Sequence, residues 1–101
     1  MAKRQIPLAT PGEILLEEFL KPLGVTQYRL AKEIGVPQQR IGEIVAGKRG
    51  ITVDTALRLA AFFGTDAQSW INLQSRFDTE SARAAMQATL ARIRRWDAAT
   101  A

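Results

Sequence analysis

The amino-acid sequence predicts an all-α fold, a bundle of five to six helices in one domain. Apolar residues recur at every third or fourth position along most of the chain, as they do on the buried face of a helix. Capping residues precede these stretches and glycines follow them, and no segment convincingly has the pattern of a strand. The 101 residues, 47% of them hydrophobic, are enough for a single core.

The first predicted helix begins at the sequence TPGE. Thr10 can cap it, Pro11 suits its first position, and Glu13 completes a capping box. Its apolar face consists of Leu15, Leu16, Phe19, Leu20 and Leu23. Pro22 and Gly24 are expected to end the helix, because proline lacks an amide donor and glycine tolerates a left-handed cap.

Two short helices follow, with a break at Gly35 between them. Thr26 can cap the first of the pair, and the other is expected to run from near Pro37 to Ala46, with Gly47 as its stop. Their buried faces consist of Leu30, Ala31 and Ile34 in one helix and of Ile41, Ile44 and Val45 in the other.

A fourth helix is predicted after a Thr52 cap. Its body, ALRLAAFF, is apolar nearly all round, which predicts a place in the middle of the bundle. Thr65 and Gln68 indicate a capping box at the start of a fifth helix. The large apolar residues of this fifth helix are Trp70, Leu73 and Phe77.

A last helix of about 16 residues is expected to begin at Asp78 or Thr79. Its apolar stripe consists of Ala82, Met86, Leu90 and Ile93. Ordinary packing within the chain, a subunit interface, and a basic amphipathic surface for DNA or membrane all fit this pattern. We favour a role in dimerisation or partner contact.

Catalysis is the function that the composition supports least. The chain has no cysteine and no histidine, so it lacks a thiol nucleophile, the commonest general base and the commonest ligands of transition metals. Glu17 and Glu18 are adjacent and would not face each other on a helix. We therefore expect no catalytic residues, no metal site and no cofactor.

A cytoplasmic location, without membrane contact, is expected from two absences. The N-terminus lacks the apolar run of a signal peptide, and no window approaches the roughly 18 apolar residues of a membrane span. The formal net charge of +4 instead makes nucleic acid the first expected partner. Residues 26–50 are one of two basic regions, with five basic and two acidic side chains, and residues 81–101 are the other.

The paired short helices in residues 26–47 have the pattern of a helix-turn-helix, whose second helix enters the major groove of DNA. Gln38 and Gln39 are expected to read bases, and Arg40 either a base or a phosphate. The DNA backbone would be held by Gln27, Arg29, Lys48 and Arg49. The predicted DNA-binding set comprises Gln27, Arg29, Gln38, Gln39, Arg40, Glu43, Lys48 and Arg49.

Residues 11–77 carry a resemblance to a known family in four stretches: PGEILLEEFLKPLG, TQYRLAKEIGVPQQRIGEIVAGKRGIT, DTALRLAAFFGT and WINLQSRFD. They resemble the Cro/C1-type (XRE) helix-turn-helix family, and most closely the HigA antitoxins of type II toxin–antitoxin modules. The resemblance implies a lambda-repressor-like DNA-binding fold and a homodimer that represses its own operon. It also implies a complex with a RelE-like ribonuclease toxin, HigB.

Two alternatives stay open beside the antitoxin reading. One is a phage-type or stand-alone repressor without a toxin partner, and the other is an interaction module that mainly binds toxin. The expected organisation is a flexible N-terminus (1–10), a DNA-binding domain (11–78) and a C-terminal helix for dimerisation or partner contact (79–101).

The predicted recognition helix departs from the family at Gly42, where members usually carry asparagine. Glycine cannot make the contact of an asparagine side chain, and it costs a helix up to about 1 kcal/mol relative to alanine. Our hypothesis is that Gly42 allows the helix backbone to approach DNA closely.

Overall fold

The computed structural model describes residues 8–97. Within that range the chain forms six helices and no strand, which confirms the predicted all-α fold. The first, α1, is one continuous helix. It is α-helical over Pro11–Ile14, π-helical over Leu15–Leu20 and α-helical again over Lys21–Leu23. The others are α2 (Gln27–Ile34), α3 (Gln38–Val45), α4 (Val53–Phe63), α5 (Ala67–Ala85) and α6 (Gln87–Ala91). Most of the N-terminus predicted to be flexible, residues 1–7, lies outside the described range, as do residues 98–101.

The start of α1 has the predicted capping box. The Glu13 amide donates to the Thr10 hydroxyl at 3.1 Å, and the Thr10 amide donates to the Glu13 carboxylate at 2.8 Å. The predicted stop in KPLG is confirmed, since the helix ends after Leu23 at the left-handed Gly24, and Pro22 lies in its last turn. The wider π-helical turn before Pro22 accommodates its ring, which would crowd the preceding carbonyls in a regular α-helix.

One hydrophobic core joins α1 to α5. Its buried side chains are Leu15, Leu20, Leu30, Ala31, Ile34, Val36, Ile41, Ile44, Ile51, Ala56, Leu59 and Trp70. Phe19 packs against the buried Trp70, with ring centroids 4.8 Å apart, and against Phe63 at 5.0 Å. This core holds the two short helices α2 and α3 against the rest of the bundle.

The helix α1 lies unusually close to α3 at Gly12. A Cβ atom added at Gly12 would overlap the carbonyl group of Ile44 and come within 3.0 Å of the Val45 Cα. The missing side chain therefore permits a close approach of the two helices, and this approach sets the position of α3.

Two expectations about the later helices are wrong. The helix α4 does not lie in the middle of the bundle: Leu57 is exposed, and burial is confined to one side around Ala56 and Leu59. The cap of α5 is Asp66 rather than Thr65. The Thr65 hydroxyl instead accepts a hydrogen bond from Trp70 Nε1 at 2.9 Å, so it satisfies the buried indole.

The predicted helix start at Asp78 or Thr79 is also wrong. The helix α5 runs without interruption through both residues for 19 residues, and the break comes at Met86. The Asp78 carboxylate accepts a hydrogen bond from Gln74 Nε2 at 2.9 Å, one turn earlier on the same helix. This bond occupies the side chain that would otherwise cap a new helix.

Candidate nucleic-acid interface

The turn between α2 and α3 is built from three adjacent residues with different conformational needs. Gly35 adopts a left-handed conformation with φ of 74°, which glycine tolerates. Val36 is buried, and its amide donates to the Ala31 carbonyl at 3.0 Å. Pro37 is extended and immediately precedes α3. The turn therefore fixes the direction of α3 from both sides, as predicted for a helix-turn-helix.

The first turn of α3 presents amides to solvent. Gln38 and Gln39 are both exposed, whereas Ile41 and Ile44 on the opposite side are buried. The hydrophobic face thus orients the helix, and the two glutamines remain available to a major groove. Base reading by these residues stays a prediction.

Gln27 of α2 reaches across to α3 beside Gly42. Its Oε1 atom lies 3.8 Å from the position that a Cβ atom at Gly42 would occupy, which is ordinary van der Waals distance. Nothing else comes within 4 Å of that position, so the protein itself has room for a side chain there. Packing of the free protein therefore does not require the glycine.

Glu43 connects two other members of the predicted set. One carboxylate oxygen accepts a hydrogen bond from Gln39 Nε2 at 3.1 Å, and the other accepts one from Arg49 Nε at 2.9 Å. The hydrogen bond from Gln39 is the main cause that lowers the pKa of Glu43 below its ordinary value. Burial opposes this shift, and the hydrogen bond and charge of Arg49 and the charge of Lys48 lower the pKa further. Glu43 is therefore ionised at neutral pH.

Arg40 turns away from the front of α3 and toward α4. Its guanidinium lies 3.5 Å from the Asp54 carboxylate, and only 30% of the side chain is exposed. Arg58 donates to the same carboxylate at 3.0 Å and to the Ile34 carbonyl at 2.7 Å. The chain of contacts thus ties the end of α2 to α4 and to Arg40. Contact of Arg40 with a base or a phosphate stays a prediction.

Lys48 and Arg49 lie in the loop after α3, and Gln74 of α5 holds that loop. The Gln74 carbonyl oxygen accepts a hydrogen bond from the Ile51 amide at 2.7 Å. Lys48 and Arg49 themselves are exposed. Arg29 is exposed as well, on α2, and pairs with Glu33 at 3.4 Å.

Sequence reasoning missed the supporting roles of Gln74 and Arg58. Asp54 and Arg58 stand four residues apart, a spacing that favours an ion pair on one helix face. The contacts of Arg58 with Ile34 and of Gln74 with Ile51 span more than 20 residues, and no local pattern reports them.

The C-terminal region presents a second surface, which is apolar. Met86 is 42% exposed, Leu90 41%, Ile93 64% and Trp96 75%. Met86 and Leu90 line one shallow open cavity with Ala82. These side chains therefore lie outside the core of the single chain, and the role of the stripe stays a prediction. We call Met86, Leu90, Ile93 and Trp96 the C-terminal apolar face.

Residues 8–97 contain neither a candidate membrane span nor a candidate metal site. None of the helices in this range is both long and apolar enough to cross a membrane. The same residues contain no group of three or more acidic, histidine or cysteine side chains placed to hold a metal ion.

The chain is similar in sequence to a known family and to individual known proteins. The family Helix-turn-helix (HTH_3) matches residues 16–70. The chain is 54% identical over 80 residues to virulence-associated protein I of Dichelobacter nodosus, across 79% of this chain and 74% of that protein. It is 36% identical over 67 residues to antitoxin HigA-1 of Vibrio cholerae, across 66% of this chain and 63% of that protein. The chain thus matches less than two thirds of the length of the Vibrio antitoxin.

Solved structures are similar over nearly the whole chain. The Pseudomonas aeruginosa antitoxin HigA with the higBA promoter gives a TM-score of 0.84 at 37% identity, over 87% of this chain and 97% of that chain. The Pseudomonas aeruginosa protein PA4674 in complex with its operator DNA gives 0.86 at 36% identity, over 93% of this chain and 100% of that chain. The predicted helix-turn-helix fold is confirmed.

Proposed function

Because the chain belongs to the Cro/C1-type (XRE) helix-turn-helix family, we propose that it is a sequence-specific DNA-binding antitoxin that represses its own operon. The observation that carries this proposal is the pair of exposed glutamines at the start of α3, within the basic segment 26–50. Two solved structures of similar proteins contain promoter or operator DNA. The chain is not an enzyme, because its relatives are DNA-binding regulators and antitoxins.

In the proposed complex, α3 enters the major groove of double-stranded operator DNA. Gln38 and Gln39 read bases, for which glutamine has the donor and acceptor that match adenine. Arg40 contacts a phosphate at the groove edge, as its position beside Asp54 supports. The DNA backbone is held by Gln27, Arg29, Lys48 and Arg49. These contacts set the register of the helix on DNA.

The functional unit is a homodimer. One recognition helix covers only a few base pairs, whereas a two-fold dimer places two such helices about 34 Å apart on a palindromic operator. The C-terminal apolar face supports this proposal, because Leu90 and Trp96 are exposed in the single chain although they are large and apolar. A second copy of the chain covers this face.

The second partner is a RelE-like ribonuclease toxin of the HigB type, which the chain neutralises. The support is the similarity to antitoxin HigA-1 and to the antitoxin HigA solved with the higBA promoter. Such a toxin is encoded beside its antitoxin, and both proteins act in the cytoplasm, with the repressor on nucleoid DNA when bound.

The proposal is tested by footprinting the DNA upstream of the gene for this chain. We expect the purified protein to protect a palindromic site there and to co-purify with the product of the adjacent gene. Protection without any co-purifying partner would favour a stand-alone repressor. Absence of protection, at a salt concentration where non-specific binding is weak, would contradict the DNA-binding function itself.

A further inference from the structure

The carboxylate of Glu43 lies between two groups that are proposed to touch DNA. Glu43 follows Gln39 by four residues on α3, so the two side chains share one face of the helix. Arg49 approaches the same carboxylate from the loop that follows α3. Glu43 is the less exposed partner of the pair, at 31% against 48% for Arg49. Both of its oxygens are engaged by residues of the predicted interface.

We propose that Glu43 is a specificity-determining positioning residue, which orients Gln39 and restrains Arg49 without contacting a base itself. This inference rests on the proposed DNA-binding function. It assigns to Glu43 a role different from that of the other seven residues in the predicted set.

The first part of the argument concerns the Gln39 amide. An ionised carboxylate can only accept hydrogen bonds, so the end of the amide that faces Glu43 must be the NH₂ group. The Gln39 carbonyl oxygen and the second N–H then remain available to DNA. This donor and acceptor match N7 and the N6 amino group of adenine, whereas an unrestrained glutamine can also turn its amide over. Glu43 therefore selects one of two amide orientations before DNA binds.

The second part concerns Arg49. Its Nε–H is bonded to Glu43, so its positive charge has a negative partner 2.9 Å away. Binding to DNA of any sequence depends on cations that replace the counterions of phosphates. A paired arginine contributes less to this attraction than a free one. Through Arg49, Glu43 therefore weakens binding to DNA of any sequence, whereas its orientation of Gln39 offsets this loss only at the operator.

Fold stability gives no competing reason for the contact. The ion pair is solvent-exposed, and exposed pairs add little to the stability of a folded protein. A variant that removes the charge of Glu43 should therefore fold normally, and its DNA binding can be compared directly with that of the parent protein.

The test compares Glu43→Gln with Glu17→Gln. Glu17 pairs with Lys21 at 2.9 Å on the exposed side of α1, so both variants lose one negative charge from an exposed ion pair, but only one of them loses it beside α3. Binding is measured by fluorescence anisotropy at several salt concentrations. The probes are the footprinted operator duplex and a scrambled duplex of the same length. Circular dichroism and thermal unfolding confirm that each variant is folded.

For Glu43→Gln we expect binding to the scrambled duplex to tighten about threefold to tenfold, and the salt slope to steepen by about one unit per protomer. Operator binding should change less, so the ratio of operator to scrambled affinity falls. For Glu17→Gln this ratio should not change. The tightening should disappear when Arg49→Ala is combined with Glu43→Gln and compared with Arg49→Ala alone.

Two results would overturn the inference. One is an equal change of affinity for both duplexes in Glu43→Gln, as in the control variant. The other is tightening that persists without Arg49. A parent protein that does not prefer the operator to the scrambled duplex would instead show that the proposed function has failed.

Discussion

At the scale of single residues, substitutions of Gln38 and Lys48 test which side chains contact bases and which contact phosphates. We expect Gln38→Ala to cost about 1–3 kcal/mol of operator binding and to relax selectivity at one base pair, because a bidentate contact to a base edge is lost. Lys48→Ala should instead weaken binding to all sequences alike and reduce the salt slope by about one unit per protomer. Binding isotherms on an operator panel with single base-pair changes, at several salt concentrations, separate the two effects. Full operator preference in Gln38→Ala would contradict the base-reading role.

The structure bears on the hypothesis that Gly42 allows the helix backbone to approach DNA closely. The free protein has room for a Cβ atom there, with only Gln27 in contact, so the reason for glycine must be sought in the bound state. We expect Gly42→Ala to raise the free energy of unfolding by up to about 1 kcal/mol, because alanine restricts the unfolded chain and favours the helix. Urea denaturation measures this gain.

Close approach of the α3 backbone to DNA predicts that the same Gly42→Ala variant binds the operator more weakly despite its greater stability. Gly42→Asn, which restores the residue usual in the family, extends the test to a longer side chain. Unchanged affinity and selectivity in both variants would contradict the hypothesis and leave the glycine without a role in DNA binding.

At the scale of helices, the contact of α1 with α3 depends on Gly12. A Cβ atom there would overlap the backbone of Ile44, which cannot move as a flexible side chain can. We expect Gly12→Ala to lower the free energy of unfolding by about 1–3 kcal/mol, the usual range for an overpacked interior. Gly42→Ala is the matched control, since it makes the same chemical change in a helix without a backbone contact. Urea denaturation should therefore show a loss of stability for Gly12→Ala and a gain for Gly42→Ala. A gain for both variants would contradict the close contact at Gly12.

The sequence predicted the helix boundaries best where the signal is local. The caps Thr10, Thr26 and Thr52 and the stop at Gly35 are confirmed, because each depends on residues within one turn. The prediction of a cap at Thr65 was wrong because the Thr65 hydroxyl accepts a hydrogen bond from Trp70, which is buried in the core. Local chemistry offers two neighbouring cap residues there, and only the tertiary fold decides between them.

The features of the candidate interface that could be predicted are also those with a local signal. The exposure of Gln38 and Gln39 follows from helical spacing and could be predicted. The contact of Glu43 with Arg49 crosses from a helix to a loop, so it could not. The close approach at Gly12 was also missed, because a glycine after a helix cap has no pattern that distinguishes packing from chance.

At the scale of the whole molecule, the chain is elongated. Its radius of gyration is 17.8 Å, whereas a compact domain of about 100 residues has about 13 Å. Every residue described after Phe77 is exposed, so the end of α5 and all of α6 project from the core. Apolar side chains on such a projection stay partly exposed in the single chain, and burial against a second copy would stabilise both copies.

Dimerisation through the C-terminal apolar face predicts the effect of a charge at Leu90. We expect Leu90→Glu to give a folded monomer, because it places a carboxylate in the interface and leaves the distant core untouched. Operator binding should weaken by on the order of a hundredfold or more, since the two recognition helices would no longer bind as one unit. Thr89→Glu is the control, because it adds the same charge to the neighbouring exposed residue of α6, on a different side of the helix. Analytical ultracentrifugation gives the oligomeric state and anisotropy gives the affinity. A Leu90→Glu protein that stays dimeric and binds the operator as tightly as Thr89→Glu would place the dimer interface elsewhere.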